Sequence, residues 1–169
     1  ASSRGLAAEL RKQLAEKSAT LDAAVKDLRI KISGCFNSCG QHHVADLGFY
    51  GISRKVGDYH VPHFEVILGG QWKENAGSYG LAIGAVPSKR IPEVVDRITQ
   101  SYIDQRKGAE SFQDFVARVG KVAVKDSLAD LTVVPDHDED ATLYTDWSDI
   151  REFTTGDMGK GECAGEIVP

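Results

Sequence analysis

Sulfur and proline are scarce in this chain. Its 169 residues include one methionine, Met158, three cysteines and five prolines. Three cysteines are an odd number and too few for a disulfide scaffold, so the expected compartment is a reducing cytoplasm. No apolar run approaches the roughly 20 residues of a membrane span, and no membrane partner is expected. The opening segment, ASSRGLAAELRKQLAEK, has neither an initiating methionine nor the continuous apolar stretch of a signal peptide. That start reads as a processed protein or as a piece excised from a longer one. Lysine and arginine form no dense stripe, so nucleic acid is not an expected partner either.

What the chain does have is enough apolar content, 41%, for one domain with a real core. Its charge is uneven. From Asp126 onward there are twelve carboxylates against two bases, Arg151 and Lys160, whereas the first 125 residues hold eighteen bases and thirteen acids. The expected organisation is therefore a mildly basic unit, 1–125, followed by an acidic tail extension, 126–169. Tyr144, Trp147 and Phe153 make that tail richer in aromatics than a disordered acidic segment usually is. Trp147 and Phe153 are expected to anchor it, with PDHDED, 135–140, as a solvated link.

Hydrophobic periodicity predicts the elements. Leu6, Leu10 and Leu14 fall at i, i+4 and i+8 of a helix over 5–17, capped by Ser2 or Ser3, and Leu21, Val25 and Leu28 continue its face after a break. Leu28, Ile30 and Ile32 then alternate with polar residues in a strand ending at Gly34. Further strands are predicted within 43–53, in HFEVILGG (63–70) and in YGLAIGAV (79–86). Pro92 suits the first turn of a helix carrying Val94, Val95, Ile98, Tyr102 and Ile103. Ser111 and Asp114 resemble a capping box for a helix with the stripe Phe112, Phe115, Val116 and Val119, stopped by Gly120. Beyond it the signals fade: LTVV reads as a short strand and the glycine-rich close has no period. The predicted class is α+β, a mixed or antiparallel sheet with helices on one face and an irregular acidic C-terminal tail.

Chemistry concentrates in IKISGCFNSCGQHHVADLGFYG, 30–51. Cys35 and Cys39 are followed at once by His42 and His43, with His60 and His63 downstream. Four readings stand open. A disulfide is within reach of residues one helical turn apart, but its dihedral is hard to make there and the redox spacing is C-x-x-C. Zinc could take Cys35, Cys39 and His42 or His43, with His60 and His63 as a second pair, making the chain a stand-alone zinc-stabilised binding module. A radical-SAM site is not among them, because it needs a cysteine where His42 stands. Two buried thiols in a tight loop explain the cysteines but not the glycines around them, which let backbone amides approach something closely, as amides do around iron–sulfur centres. Two thiolates supply only half of a cubane's ligands. The four histidines, and Arg54, Lys55, Lys89 and Arg90, read as ordinary loop or solvated surface residues.

Gly34, Cys35, Asn37, Cys39 and Gly40, then Ala45, Asp46, Leu47 and Gly48, resemble the second cysteine pair of the sirohaem and 4Fe–4S sulfite and nitrite reductases. That family's motif is G-C-P-N-x-C-G before an ADIGLxG-like strand; Phe36 stands where it has proline. VILGGQW through FVARVG is similar to the end of the bacterial catalytic unit, and DWSDIREF…GKGECAGE resembles an acidic tail on some members. The resemblance implies a partial C-terminal unit of a six-electron reductase of assimilatory type, taking sulfite to sulfide or nitrite to ammonia, and inactive by itself. It implies a 4Fe–4S cluster held by Cys35 and Cys39, with Cys39 also bridging to sirohaem iron. Asn37 and the Gly40 amide would set the loop and hydrogen-bond sulfur. The implied partners are the remaining N-terminal part of the reductase, which would carry the missing C-x5-C pair, and a ferredoxin or flavoprotein donor. No catalytic residue is assignable within the chain, and Cys163 matches no cluster position.

Overall fold

A computed structural model describes residues 1–74 and 77–157. Its centre is a four-stranded mixed sheet in the order β1-β2-β3-β4. β1 (Ile30–Ser33) runs parallel to β2 (Leu47–Val56), pairing Ile30 with Leu47 and Ser33 with Tyr50. β2 turns back into β3 (Tyr59–Leu68), and β4 (Leu81–Pro87) adds antiparallel to it, with an irregularity between Val66 and Ile67. Gly57, at φ +57°, opens the two-residue turn between β2 and β3. A left-handed residue there gives the hairpin the twist of its strands. Proline is tolerated at position 62 because β4 reaches only as far as His63, leaving that side of β3 unpaired.

The helices are α1 (Ser3–Lys17), α2 (Ala23–Lys26), α3 (Ile91–Gln105), α4 (Phe112–Val119) and α5 (Lys121–Ser127). Ser2 caps α1 by accepting the Gly5 amide at 3.1 Å, and Ser111 caps α4 by accepting that of Asp114 at 3.1 Å. Their apolar stripes cover one face of the sheet. Leu6, Leu10, Val94, Ile98, Phe112, Phe115 and Val124 join Leu47, Phe49, Phe64, Val66 and Leu68 in one buried core. Along β2 and β3 these core residues alternate with those of the opposite face, as the pleat requires.

Two expectations need correction. LTVV is not a strand: Ala129–Thr132 forms a 3-10 turn. The Arg90 guanidinium donates to the carbonyls of Asp130, Leu131 and Val133 and so ties that turn to the start of α3. Arg90 and Lys89 are therefore more than solvated bases. Lys89 Nζ donates to the Asp146 carbonyl at 2.9 Å and lies 4.6 Å from the centre of the Trp147 ring.

The acidic segment packs on the body through Trp147, as expected, and through Tyr144. Trp147, partly buried, packs against the main core and donates its indole N–H to the Ser88 carbonyl at 3.1 Å. Phe153 is buried, and Tyr144 packs with Val61 and Leu143 on a second small cluster. The 135–140 link is less free than expected. His137 stacks on Tyr59 at 4.4 Å, and its Nε2 lies 3.0 Å from Glu152. Cys163 and the glycine-rich close lie outside the described residues.

Candidate functional site

The thiol loop hangs between β1 and β2. It leaves β1 after Ser33 and re-enters through a 3-10 turn, His42–Val44. Ser38 and Gln41 adopt left-handed backbone, φ +60° and +59°, and the Gln41 amide closes the turn on the Ser38 carbonyl at 2.7 Å. Lys31 Nζ reaches Gln41 Oε1 at 2.8 Å, fastening the loop to β1 from outside.

Cys35 is half-buried and Cys39 exposed, and both are thiols. Phe36, between them, is 73% exposed, and Asn37 is exposed as well. Gly40 presses against β1, where an added methyl would overlap the Ile32 carbonyl oxygen. Its amide donates to Ser33 Oγ at 3.1 Å. That bond sets the loop, and it directs the Gly40 N–H to the serine rather than to sulfur.

The histidines are occupied elsewhere. His42 is fully buried, with Nδ1 2.8 Å from Ser33 Oγ and its ring 4.8 Å from that of Tyr50. Burial, aided by neighbouring His43, pushes its pKa down to about 4. Its Nε2 is buried without a hydrogen-bond partner. His43 stacks on Tyr79 at 4.9 Å, His60 Nδ1 lies 3.3 Å from Ser53 Oγ, and His63 Nδ1 donates to the Val61 carbonyl at 2.9 Å. Among the described residues, no three His, Cys, Asp or Glu come together to hold a metal ion. The zinc reading gains no support.

Sequence reasoning missed two supports of this site. Ser33, one of the polar residues alternating along β1, holds Gly40 and His42 through its hydroxyl. Asp46, quoted only for its place in the motif, is a buried acceptor for the Arg29 amide at 2.7 Å, Arg29 Nε at 3.0 Å and the Gln113 amide, so it clamps the corner before β2 to α4. The sequence offered one signal for each: a serine closing the strand and an acid beside apolar neighbours. On β2, burial raises the pKa of Tyr50, with its cross-strand partner Glu65 adding to the effect. Burial also raises Glu65, against the pull of Arg54, Lys121 and Lys125.

Among the described residues no helix is long and apolar enough to cross a membrane. The family model described as nitrite and sulphite reductase 4Fe-4S domain matches residues 2–131. Sulfite reductase (ferredoxin) 1 of Mycolicibacterium paratuberculosis is 36% identical over 116 residues, 67% of this chain and 20% of that protein. The assimilatory ferredoxin-dependent nitrite reductase of Haloferax mediterranei is 25% identical over 100 residues, covering 59% of this chain and 17% of its own length. The structure of the Mycobacterium tuberculosis NirA protein superposes with a TM-score of 0.57 at 29% identity, over 70% of this chain and 22% of that one. The chain thus spans about a fifth of the length of the relatives it matches. It belongs to the nitrite and sulphite reductase 4Fe-4S domain family, whose cofactors are a 4Fe–4S cluster and sirohaem.

Proposed function

We propose that this chain is the C-terminal part of a reductase that converts sulfite to sulfide, or nitrite to ammonia, by six electrons. Residues 126–169 form an acidic extension on the 1–125 unit. Cys35 and Cys39 supply two of the four cluster thiolates, and Cys39 also links the cluster to sirohaem iron. The carrying observation is the thiol loop itself: two thiols four positions apart, one exposed, on a loop pinned to β1. Half a ligand set on an open loop suits a site completed by another segment, and the relatives are about five times longer than their matched region. The bound cofactors supply the electron transfer that no side chain can perform.

The chain's own residues hold and aim. Gly40 lets the loop lie flat on β1, Lys31 and Ser33 fasten its far end, and Asp46 fixes the corner where it rejoins the sheet. Asn37, exposed on the loop, is assigned to the cofactor environment. The remaining N-terminal part of the protein brings the other two thiolates and the anion site. The relatives named for ferredoxin make ferredoxin the favoured donor, ahead of a flavoprotein.

The test uses the full-length protein. Purified aerobically and assayed with reduced ferredoxin, it should be coloured, contain iron, acid-labile sulfide and an extractable tetrapyrrole, and form sulfide from sulfite or ammonia from nitrite. A full-length protein with none of these cofactors contradicts the proposal.

A further inference from the structure

The hydroxyl of Ser33 is the meeting point of the thiol loop. Ser33 is the last residue of β1, paired with Tyr50 and 4% exposed, so its position is set by the sheet. Its Oγ accepts the Gly40 N–H at 3.1 Å and lies 2.8 Å from His42 Nδ1. A serine hydroxyl has one proton to give and two lone pairs. The Gly40 amide can only donate, so it takes a lone pair. The hydroxyl's proton and its other lone pair are open to His42 Nδ1, which accepts or donates according to its tautomer, so the hydroxyl holds both groups in either case. The imidazole cannot move away, because it is fully buried, with its ring 4.0 Å from that of His43 and 4.8 Å from that of Tyr50.

The Gly40 N–H belongs to the same rigid peptide plane as the Cys39 carbonyl. Fixing that N–H therefore limits the direction in which the Cys39 side chain leaves the backbone. The loop needs such a tie, since Ser38 and Gln41 hold left-handed backbone that L residues rarely adopt. An untied loop would relax at those two positions, which flank Cys39.

We infer that Ser33 is a positioning residue for the thiol loop: held between Gly40 and His42, its hydroxyl aims the Cys39 thiolate and so tunes the cluster. The aiming follows from the geometry alone, while the effect on the cluster rests on the proposed function. Ser33 touches no reacting atom, so activity by itself is not the informative readout.

The experiment takes the full-length protein in three forms, wild type, Ser33→Ala and Ser33→Thr. Iron and acid-labile sulfide are counted, the electron paramagnetic resonance spectrum of the reduced cluster is recorded, and its midpoint potential is titrated. Exchange of the Gly40 amide is followed by NMR or mass spectrometry. Ser33→Ala should alter the cluster spectrum and shift its reduced-to-oxidised ratio at fixed potential on the order of tenfold, about 59 mV for one electron. Ser33→Thr, which keeps the hydroxyl, should match wild type. If Ser33→Ala fails to assemble a cluster while Ser33→Thr assembles a native one, the hydroxyl is still the tie. The inference is overturned if Ser33→Ala has the wild-type spectrum and potential, or if both variants change alike. A cluster-free wild type whose Gly40 amide loses protection in Ser33→Ala would leave the aiming intact and sink the proposed function. Unchanged Gly40 exchange in Ser33→Ala sinks the aiming itself.

Discussion

Gly40→Ala is a sharp test of how the thiol loop is held. The added methyl would overlap the Ile32 carbonyl oxygen and stand 3.0 Å from Ser33 Oγ, both on a strand that the sheet keeps in place. Neither neighbour is the free end of a flexible side chain, so the loop must lift from β1. Lifting costs the Gly40–Ser33 hydrogen bond, about 1 kcal/mol, and any residual overlap adds about 1–3 kcal/mol. Reduced freedom of the unfolded chain returns about 0.4–1 kcal/mol. The net is a destabilisation of about 2 kcal/mol. With a urea dependence of about 2 kcal/mol per molar, the unfolding midpoint should fall by about 1 M. Circular dichroism on the 169-residue chain reads it directly. A midpoint equal to or above wild type refutes the reasoning, because it would mean that the loop does not lie against β1.

Three further outcomes follow from the same structure. His42, with a pKa held at about 4 against an ordinary 6.5, should stay neutral in NMR titration through pH 5. Because the unfolded chain takes up that proton first, stability should be flat above pH 6.5 and fall by up to about 1.4 kcal/mol per unit between 6.5 and 4; an imidazole titrating near 6.5 contradicts this. Asp146→Ala removes the acceptor of the Ser2 amide at 2.7 Å and the Trp147 amide at 2.8 Å, so hydrogen exchange over 141–153 should quicken, with a loss of about 1–2 kcal/mol; unchanged protection means that Asp146 does not hold the tail. Expressed alone, the 169 residues should purify without stoichiometric sirohaem, and a tightly bound, fully loaded chain would refute the half-site.

The parts of the fold that were legible in the sequence are those with local causes. The stripe Phe112, Phe115, Val116 and the Ser111 cap define α4 without help from elsewhere, and α3 is equally self-contained. The start of β3 was missed because RKVGDYHVPH is polar and holds a proline; what makes it strand is pairing with β2, a partner that its own pattern does not reveal. α5 was missed because KVAVKDS is too short for a helical period to show. In LTVV the β-branched residues suggest a strand, but the Arg90 guanidinium, some forty positions away, holds those carbonyls in a turn. The cysteine spacing was legible because thiols and glycines carry their chemistry in their identity. The link from Ser33 to Gly40 and His42 was not, because it exists only once the loop folds back onto β1.

Cys35 and Cys39 are proposed to hold the cluster. Full-length protein carrying Cys35→Ser, Cys39→Ser or His43→Ala should be compared with wild type for iron, acid-labile sulfide and visible absorption. Either cysteine change should abolish or severely damage the cluster, since a serine oxygen is a poor replacement for thiolate sulfur on iron, while His43→Ala should keep a full complement. Cysteine variants that retain the cluster, with a histidine variant that loses it, would contradict the account.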